Sequence, residues 1–315
     1  LVALGTVCDV VPLKNLNRAY VTRGLLVMHQ RQNPGLTALA DVARVNGKPV
    51  PYHLGFLVGP RINAGGRIGD AALGARLLTT QDPHEARAIA ERLDQLNNER
   101  QAMEAHMLEE AGADALAAID RRDPAVLLTG SQDWHPGIVG LIASRLKEAH
   151  RRPAFAIAYD ASGKGTGSGR SVHGVDLGNA VRQAVENGLL EKGGGHAMAA
   201  GLTVQRENAE ALEDFFNQVL KKDVEQAPLK REIRIDAALT AAGATLELMD
   251  MLEKAGPFGA GHSEPVFAFP AHRVSFADVV GKGHVRATIA AGDGTSLKAI
   301  CFKADDKPHG KMLLE

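Results

Sequence analysis

The stretch 82–111 constrains this chain more than any other. Asp82 is an N-cap residue type, Pro83 follows at the first helical position, and Glu85 stands three places after the cap, the pattern of a capping box. Ala86, Ile89, Leu93, Leu96 and Met103 then recur as an apolar stripe, while the other positions are dense with charge. This predicts one helix about 45 Å long. A helix that long and that polar bridges two bodies, so the chain divides around it.

On its N-terminal side, residues 1–8 read as a short buried strand ending at Asp9, and 17–30, 36–44 and 71–79 as helices. Between them GFLVGPRINAGGRIGD (55–70) reads as an apolar start followed by a glycine- and arginine-rich loop. On the C-terminal side strand and helix alternate from residue 124. PAVLLTG and PAFAIAYD read as strands, PGIVGLIASRLKEAH as a helix, and GKGTGSGRSV as a glycine-rich loop or strand. DLGNAVRQAVENG reads as a helix with Asp176 as its N-cap, and 207–220 as another. That pattern predicts an α/β or α+β domain.

From about 222 the pattern changes again. KKDVEQAPLK reads as a polar linker, REIRIDAAL as a strand, TLELMDMLEKAG as a helix and PFGAGHSEP as a turn-rich link. VFAFP, HRVSFADVVGK, HVRATIAAG and SLKAICFKA read as short strands that suit a small β-barrel such as an OB-fold.

Composition excludes several classes. Lys and Arg number 36 against 37 Asp and Glu, so the chain is not a uniformly basic nucleic-acid binder, although local basic patches remain open. One such patch is Arg145, Lys147, Arg151 and Arg152; another is Arg273, Lys282, His284 and Arg286, which fits a groove that tracks phosphates. Aromatic residues make up 4% of the chain, which favours backbone contacts over base stacking. No apolar run is long enough to span a membrane. Cys8 and Cys301 cannot make a disulfide framework, which points to a reduced, cytoplasmic setting. The opening LVALGTV, without Met or leader pattern, suggests an internal stretch of a longer protein.

Five places could carry chemistry. Asp9 suits a hard divalent cation, or is a solvated turn residue before Pro12. Arg61 and Arg67 flank a turn, where guanidinium forks could hold phosphate with the N–H groups of Gly65 and Gly66, or lie idle at the surface. In DWHPGIVG, His135 could donate to phosphate near a helix N-terminus, whereas Trp134 suits a core. Ser168 and Arg170, two apart in a strand, would share one face and make a phosphate pocket. In GGGHAMAAG, Gly194 and Gly195 would bring bare backbone to a ligand beside His196, or form only a tight corner. No nucleophilic triad and no zinc pattern stands out.

Together ALGTVCDVVPL, GPRINAGGRIGD, DWHPGIVGLIASRL, GSGRS, GGGHAMAAG and GPFGAGHSEPVF resemble, in order, the RecJ-like single-strand-specific exonucleases of the DHH phosphoesterase superfamily. The resemblance implies an α/β fold: the end of a DHH domain (1–80), a connecting helix (81–122), a DHHA1 domain (123–222) and an OB-fold-like barrel (228–315). It implies 5′→3′ hydrolysis of single-stranded DNA in repair and recombination, with two Mn²⁺ or Mg²⁺ ions. It implies a cytoplasmic monomer working with a helicase and single-strand-binding protein. Asp9 matches the last metal-ligand motif, and Arg67, or else Arg61, an active-site arginine. Ser168 and Arg170 match the 5′-phosphate pair, and His196 the histidine facing the metals. The Asp-His-His motif itself would precede residue 1, so the chain alone is expected to bind DNA weakly and be inactive. Two alternatives stand: a phosphodiesterase of short oligonucleotides or cyclic dinucleotides, and a non-catalytic single-stranded-DNA-binding module. The barrel and the long helix argue against the first.

Overall fold

The computed structural model describes residues 1–227 and 233–315. The end of the expected linker at 228–230 and the start of the strand expected over 231–239 lie outside them. The chain runs through α1 (Val2–Cys8), α2 (Asn15–His29), α3 (Pro34–Val42), a π-helical turn (His53–Val58), α4 (Gly59–Ile68), α5 (Ala72–Thr79) and α6 (Pro83–Arg122). Then come β1 (Leu127–Ser131), α7 (Val139–His150), β2 (Ala154–Tyr159), β3 (Lys164–Arg170), α8 (Leu177–Glu186), β4 (Lys192–His196), β5 (Ala199–Gln205) and α9 (Ala209–Gln226). The last elements are β6 (Ala237–Ala238), α10 (Leu246–Ala255), β7 (Phe267–Ala268), β8 (Arg273–Val280), β9 (His284–Ala290), β10 (Ser296–Cys301) and α11 (Pro308–Leu314). Among the described residues no helix is long and apolar enough to cross a membrane.

The chain forms two compact units. Among the described residues, one contains 30–47 and 55–227; the other contains 1–29, 48–54 and 233–315. In the first, α6 runs for 40 residues, about 60 Å, longer than 82–111. Asp82 caps it by accepting from the N–H of His84. Helices α3, α4 and α5 pack on α6, and so do α7 and β1. Beyond α6 lies a five-stranded sheet of order β1-β2-β3-β5-β4, with β1 parallel to β2 and the other pairs antiparallel.

The alternation of β2 divides the core in two. Ala154, Ala156 and Ala158 join a layer with Met107, Trp134, Ile142 and Leu146, on the α6–α7 side. Phe155, Ile157 and Tyr159 join Leu177, Val181, Leu202 and Phe216, on the α8–α9 side. Phe155 and Phe216 stack with centroids 4.8 Å apart.

In the second unit β8, β9 and β10 form an antiparallel meander, and β6 pairs in parallel with β7. Leu13 donates its N–H to the Ala260 carbonyl at 2.7 Å, and Arg18 donates to the carbonyls of Ala255 and Gly256 at the end of α10.

Three expectations are corrected. Residues 2–8 are helical, not a strand, because a short apolar run carries no period that separates the two. The 55–70 stretch is helical rather than a loop. Its glycine at 65 is buried, and a Cβ there would stand 2.8 Å from the Asp70 carbonyl oxygen and 3.2 Å from a Leu93 methyl. Close packing on α6, not flexibility, accounts for that glycine. The described part of the expected linker, 221–226, continues α9.

Candidate functional site

Polar groups of β3, α4 and the start of α7 come together at one place in the first unit. Ser168 and Arg170 lie on the α6–α7 face of β3, and Arg170 Nη1 donates to Ser168 Oγ at 2.7 Å and to the Gly169 carbonyl at 2.9 Å. The start of α7 closes on this pair: a Cβ added at Gly140 would sit 3.0 Å from Arg170 Nη2 and 3.2 Å from Ser168 Oγ. No side chain caps α7. Its first N–H groups therefore add positive potential beside the two side chains.

Arg67, in the last turn of α4, donates to the Gly137 carbonyl at 3.1 Å. Gly137 must lack a side chain, since a Cβ would lie 2.1 Å from the Arg67 carbonyl oxygen. Burial lowers the pKa of Arg67, as do the charges of Arg100 and Arg170, while Glu104 opposes them. Burial also lowers that of Arg170. Both stay cationic near neutrality. Neither has a carboxylate within ion-pair distance among the described residues. Half-buried guanidiniums without an ion-paired carboxylate are suited to an incoming anion.

His196 lies on the same sheet face. The register places Arg170 opposite Ala199, and Ala199 opposite His196. The two side chains thus stand at one level, two strand spacings or about 10 Å apart. Beside them Ser168, Gly201 and Gly194 form a second row. A Cβ at Gly194 would meet nothing within 4 Å, so this row is an open glycine floor. Gly195 has a φ of 156°, and a Cβ there would come within 2.3 Å of the Ala199 carbonyl oxygen, so only glycine serves. The GGGHAMAAG stretch is therefore a tight β-hairpin and an exposed floor at once.

Other expected residues are placed differently. Arg61 is not free for phosphate: its Nε pairs with Asp94 at 2.8 Å and its Nη1 donates to the Leu57 carbonyl at 2.7 Å. It fastens α4 to α6. The N–H groups of Gly65 and Gly66 lie inside α4, where helical bonding withdraws them from any anion. His135 Nδ1 accepts from the N–H of Gly137 at 3.0 Å and shapes the turn into α7. Trp134 is buried, donating to Glu110 at 2.7 Å.

Asp9 belongs to the other unit. It is exposed at the C-terminal end of α1, beside Cys8, whose thiol pKa is raised by burial and by Asp9. Among the described residues no three His, Cys, Asp or Glu side chains come together as a metal site. A lone carboxylate does not hold a divalent ion. In the same unit Arg286 is held by Asp278 at 2.6 Å, so the second basic patch is partly neutralised. The Arg145 patch is likewise ion-paired, through Glu104, Glu148 and Asp123.

Sequence reasoning missed Asn97 and Arg100, buried residues of α6. Their signal was present. Leu93, Leu96, Asn97, Arg100 and Met107 follow helical spacing on the buried face, whereas Met103 is exposed.

Comparison with known proteins agrees with this architecture. Residues 123–222 match the DHHA1 domain family and residues 235–313 the RecJ OB domain family. The chain is 36% identical over 313 residues to the single-stranded-DNA-specific exonuclease RecJ of Escherichia coli (strain K12), covering 97% of this chain and 54% of that one. The crystal structure of RecJ in complex with Mg²⁺ from Thermus thermophilus superposes with a TM-score of 0.79 at 31% identity, covering 97% of this chain and 46% of that one. Its Mn²⁺ counterpart gives 0.79 at 30% identity, covering 97% and 44%. The chain thus spans about half the length of the curated relatives it matches. With a DHHA1 domain, a RecJ OB domain and likeness to RecJ along nearly its whole length, the chain belongs to the RecJ family.

Proposed function

We propose that this chain is the part of a single-stranded-DNA-specific 5′→3′ exonuclease that captures the 5′ phosphate and holds the strand. The observation that carries this is the pocket in which Ser168, Arg170 and Arg67 meet the start of α7 with no carboxylate paired to either arginine among the described residues.

Each residue then has a defined task. Arg170 and Arg67 neutralise the phosphate. Ser168 Oγ already accepts from Arg170, so its own proton is free to donate to a phosphate oxygen. His196, about 10 Å away along the sheet, does not share that phosphate. It suits the next phosphodiester, over the open floor of Gly194 and Gly201. Spacing two phosphates in this way supports release of one nucleotide at a time.

The family's chemistry calls for divalent metal, Mn²⁺ or Mg²⁺, and two ions in the resemblance. The described residues do not form such a site. Asp9 is proposed as a single contributing carboxylate. The OB domain is proposed to track the strand through Arg273, Lys282 and His284. The resemblance also supports a cytoplasmic monomer working beside a helicase and single-strand-binding protein.

The test is a binding comparison. The chain should bind 5′-phosphorylated oligo-dT at least about tenfold more tightly than the 5′-hydroxyl form, the scale of one charged hydrogen bond. Arg170→Ala should erase the difference. Equal affinity for both ends in the unaltered chain would overturn the proposal.

A further inference from the structure

We propose that Asn97 and Arg100 are themselves phosphate ligands, so that α6 is the buried wall of the pocket as well as a strut. This rests on the terminal-phosphate reading above and extends it to residues outside every motif.

Both side chains are more than nine-tenths enclosed, with Asn97 at 1% and Arg100 at 8% exposure. Arg100 Nη2 donates to Asn97 Oδ1 at 3.1 Å, and Nη1 pairs with Glu104. Yet Asn97 Nδ2 and Arg100 Nε find no acceptor among the described residues. Folded proteins leave few buried donors unsatisfied, and those left open call for a specific cause. An absent acceptor with several oxygens is such a cause. The site also has a charge imbalance. Arg100 lies close enough to Arg67 to lower its pKa, as Arg170 does. The nearby carboxylate, Glu104, is shared between Arg100 and Arg145. Three guanidiniums against one shared carboxylate leave two charges uncompensated. A phosphomonoester carries about −1.5 to −2 near neutrality, whereas an internal phosphodiester carries one. The extra guanidinium therefore selects a terminal phosphate over an internal one.

The experiment measures binding of the chain to 5′-phosphorylated and 5′-hydroxyl oligo-dT by fluorescence anisotropy at fixed salt. Arg100→Gln and Asn97→Asp are compared with Arg92→Gln, an exposed position on α6. Asn97→Asp keeps the side-chain volume and its bond to Arg100, so it remains informative if Arg100→Gln fails to fold. Trp134 fluorescence reports the packing of α7 on α6. The preference for the phosphorylated end should fall from about tenfold to under about twofold in both pocket variants and persist in Arg92→Gln. In the unaltered chain it should weaken as pH drops below about 6, where the monoester loses its second charge. A preference retained in both folded pocket variants overturns the role of Asn97 and Arg100 alone. No preference in the unaltered chain removes the terminal-phosphate reading, and this inference with it.

Discussion

At the scale of single residues, two glycines separate pocket from scaffold. The atoms nearest to a methyl at Gly140 are the movable ends of Arg170 and Ser168. Gly140→Ala should displace them, reduce the 5′-phosphate preference severalfold and leave the melting temperature nearly unchanged. A methyl at Gly137 meets the Arg67 carbonyl at 2.1 Å, which is backbone and cannot step aside. Gly137→Ala should destabilise the chain by about 1–3 kcal/mol, as overpacking does, and calorimetry would show it. Residue types alone raised Ser168, Arg170, Arg67 and His196 as candidates, because phosphate chemistry selects those types, and the resemblance supplied their expected roles. Arg61 looked equivalent to Arg67 in sequence. Only the fold shows Asp94 across from it, 33 positions later in the chain.

At the scale of elements, α6 organises the first unit. Arg61–Asp94 and Trp134–Glu110 tie it to its neighbours on either side of the Arg100 region. Asp94→Ala removes the carboxylate from a partly buried pair and should cost about 1–3 kcal/mol by denaturant unfolding, without altering the relative affinity for a phosphorylated end. A shifted end preference would instead return Arg61 to the pocket. Gly112 lies inside the same helix, and a Cβ added there would meet nothing within 4 Å. Gly112→Ala should therefore stabilise by about 0.5–1 kcal/mol.

The helix was legible in sequence because its cap and periodicity are local signals. Helices α1 and α4 were not. A mostly apolar run of seven residues fits strand or helix equally, and the glycines of 59–66 mimic a loop until Leu93 and Asp70 are seen packed against Gly65. In α4 tertiary contact outweighed local propensity.

At the scale of the whole molecule, the proposed pocket draws on α4, α7 and β3, with α6 added by the inference above, from residue 67 to residue 170. No local pattern links such distant positions, which is why Arg100 escaped notice while the motif residues did not. The second unit contributes a different kind of binding. Its exposed basic side chains predict an affinity for unphosphorylated single strands that falls with salt, at a log–log slope of about −0.7 per phosphate neutralised. Titrations at several salt concentrations would measure it, and a flat response would argue against a strand-tracking role.

The most direct test is a crystal structure of the chain with a 5′-phosphorylated oligo-dT. The terminal phosphate should lie within hydrogen-bond distance of Ser168 Oγ and the Arg170 guanidinium, at the start of α7, with the following phosphodiester toward His196. An oligonucleotide seated with its 5′ end elsewhere, and an internal phosphate or none in that pocket, would contradict the proposed capture of the strand end.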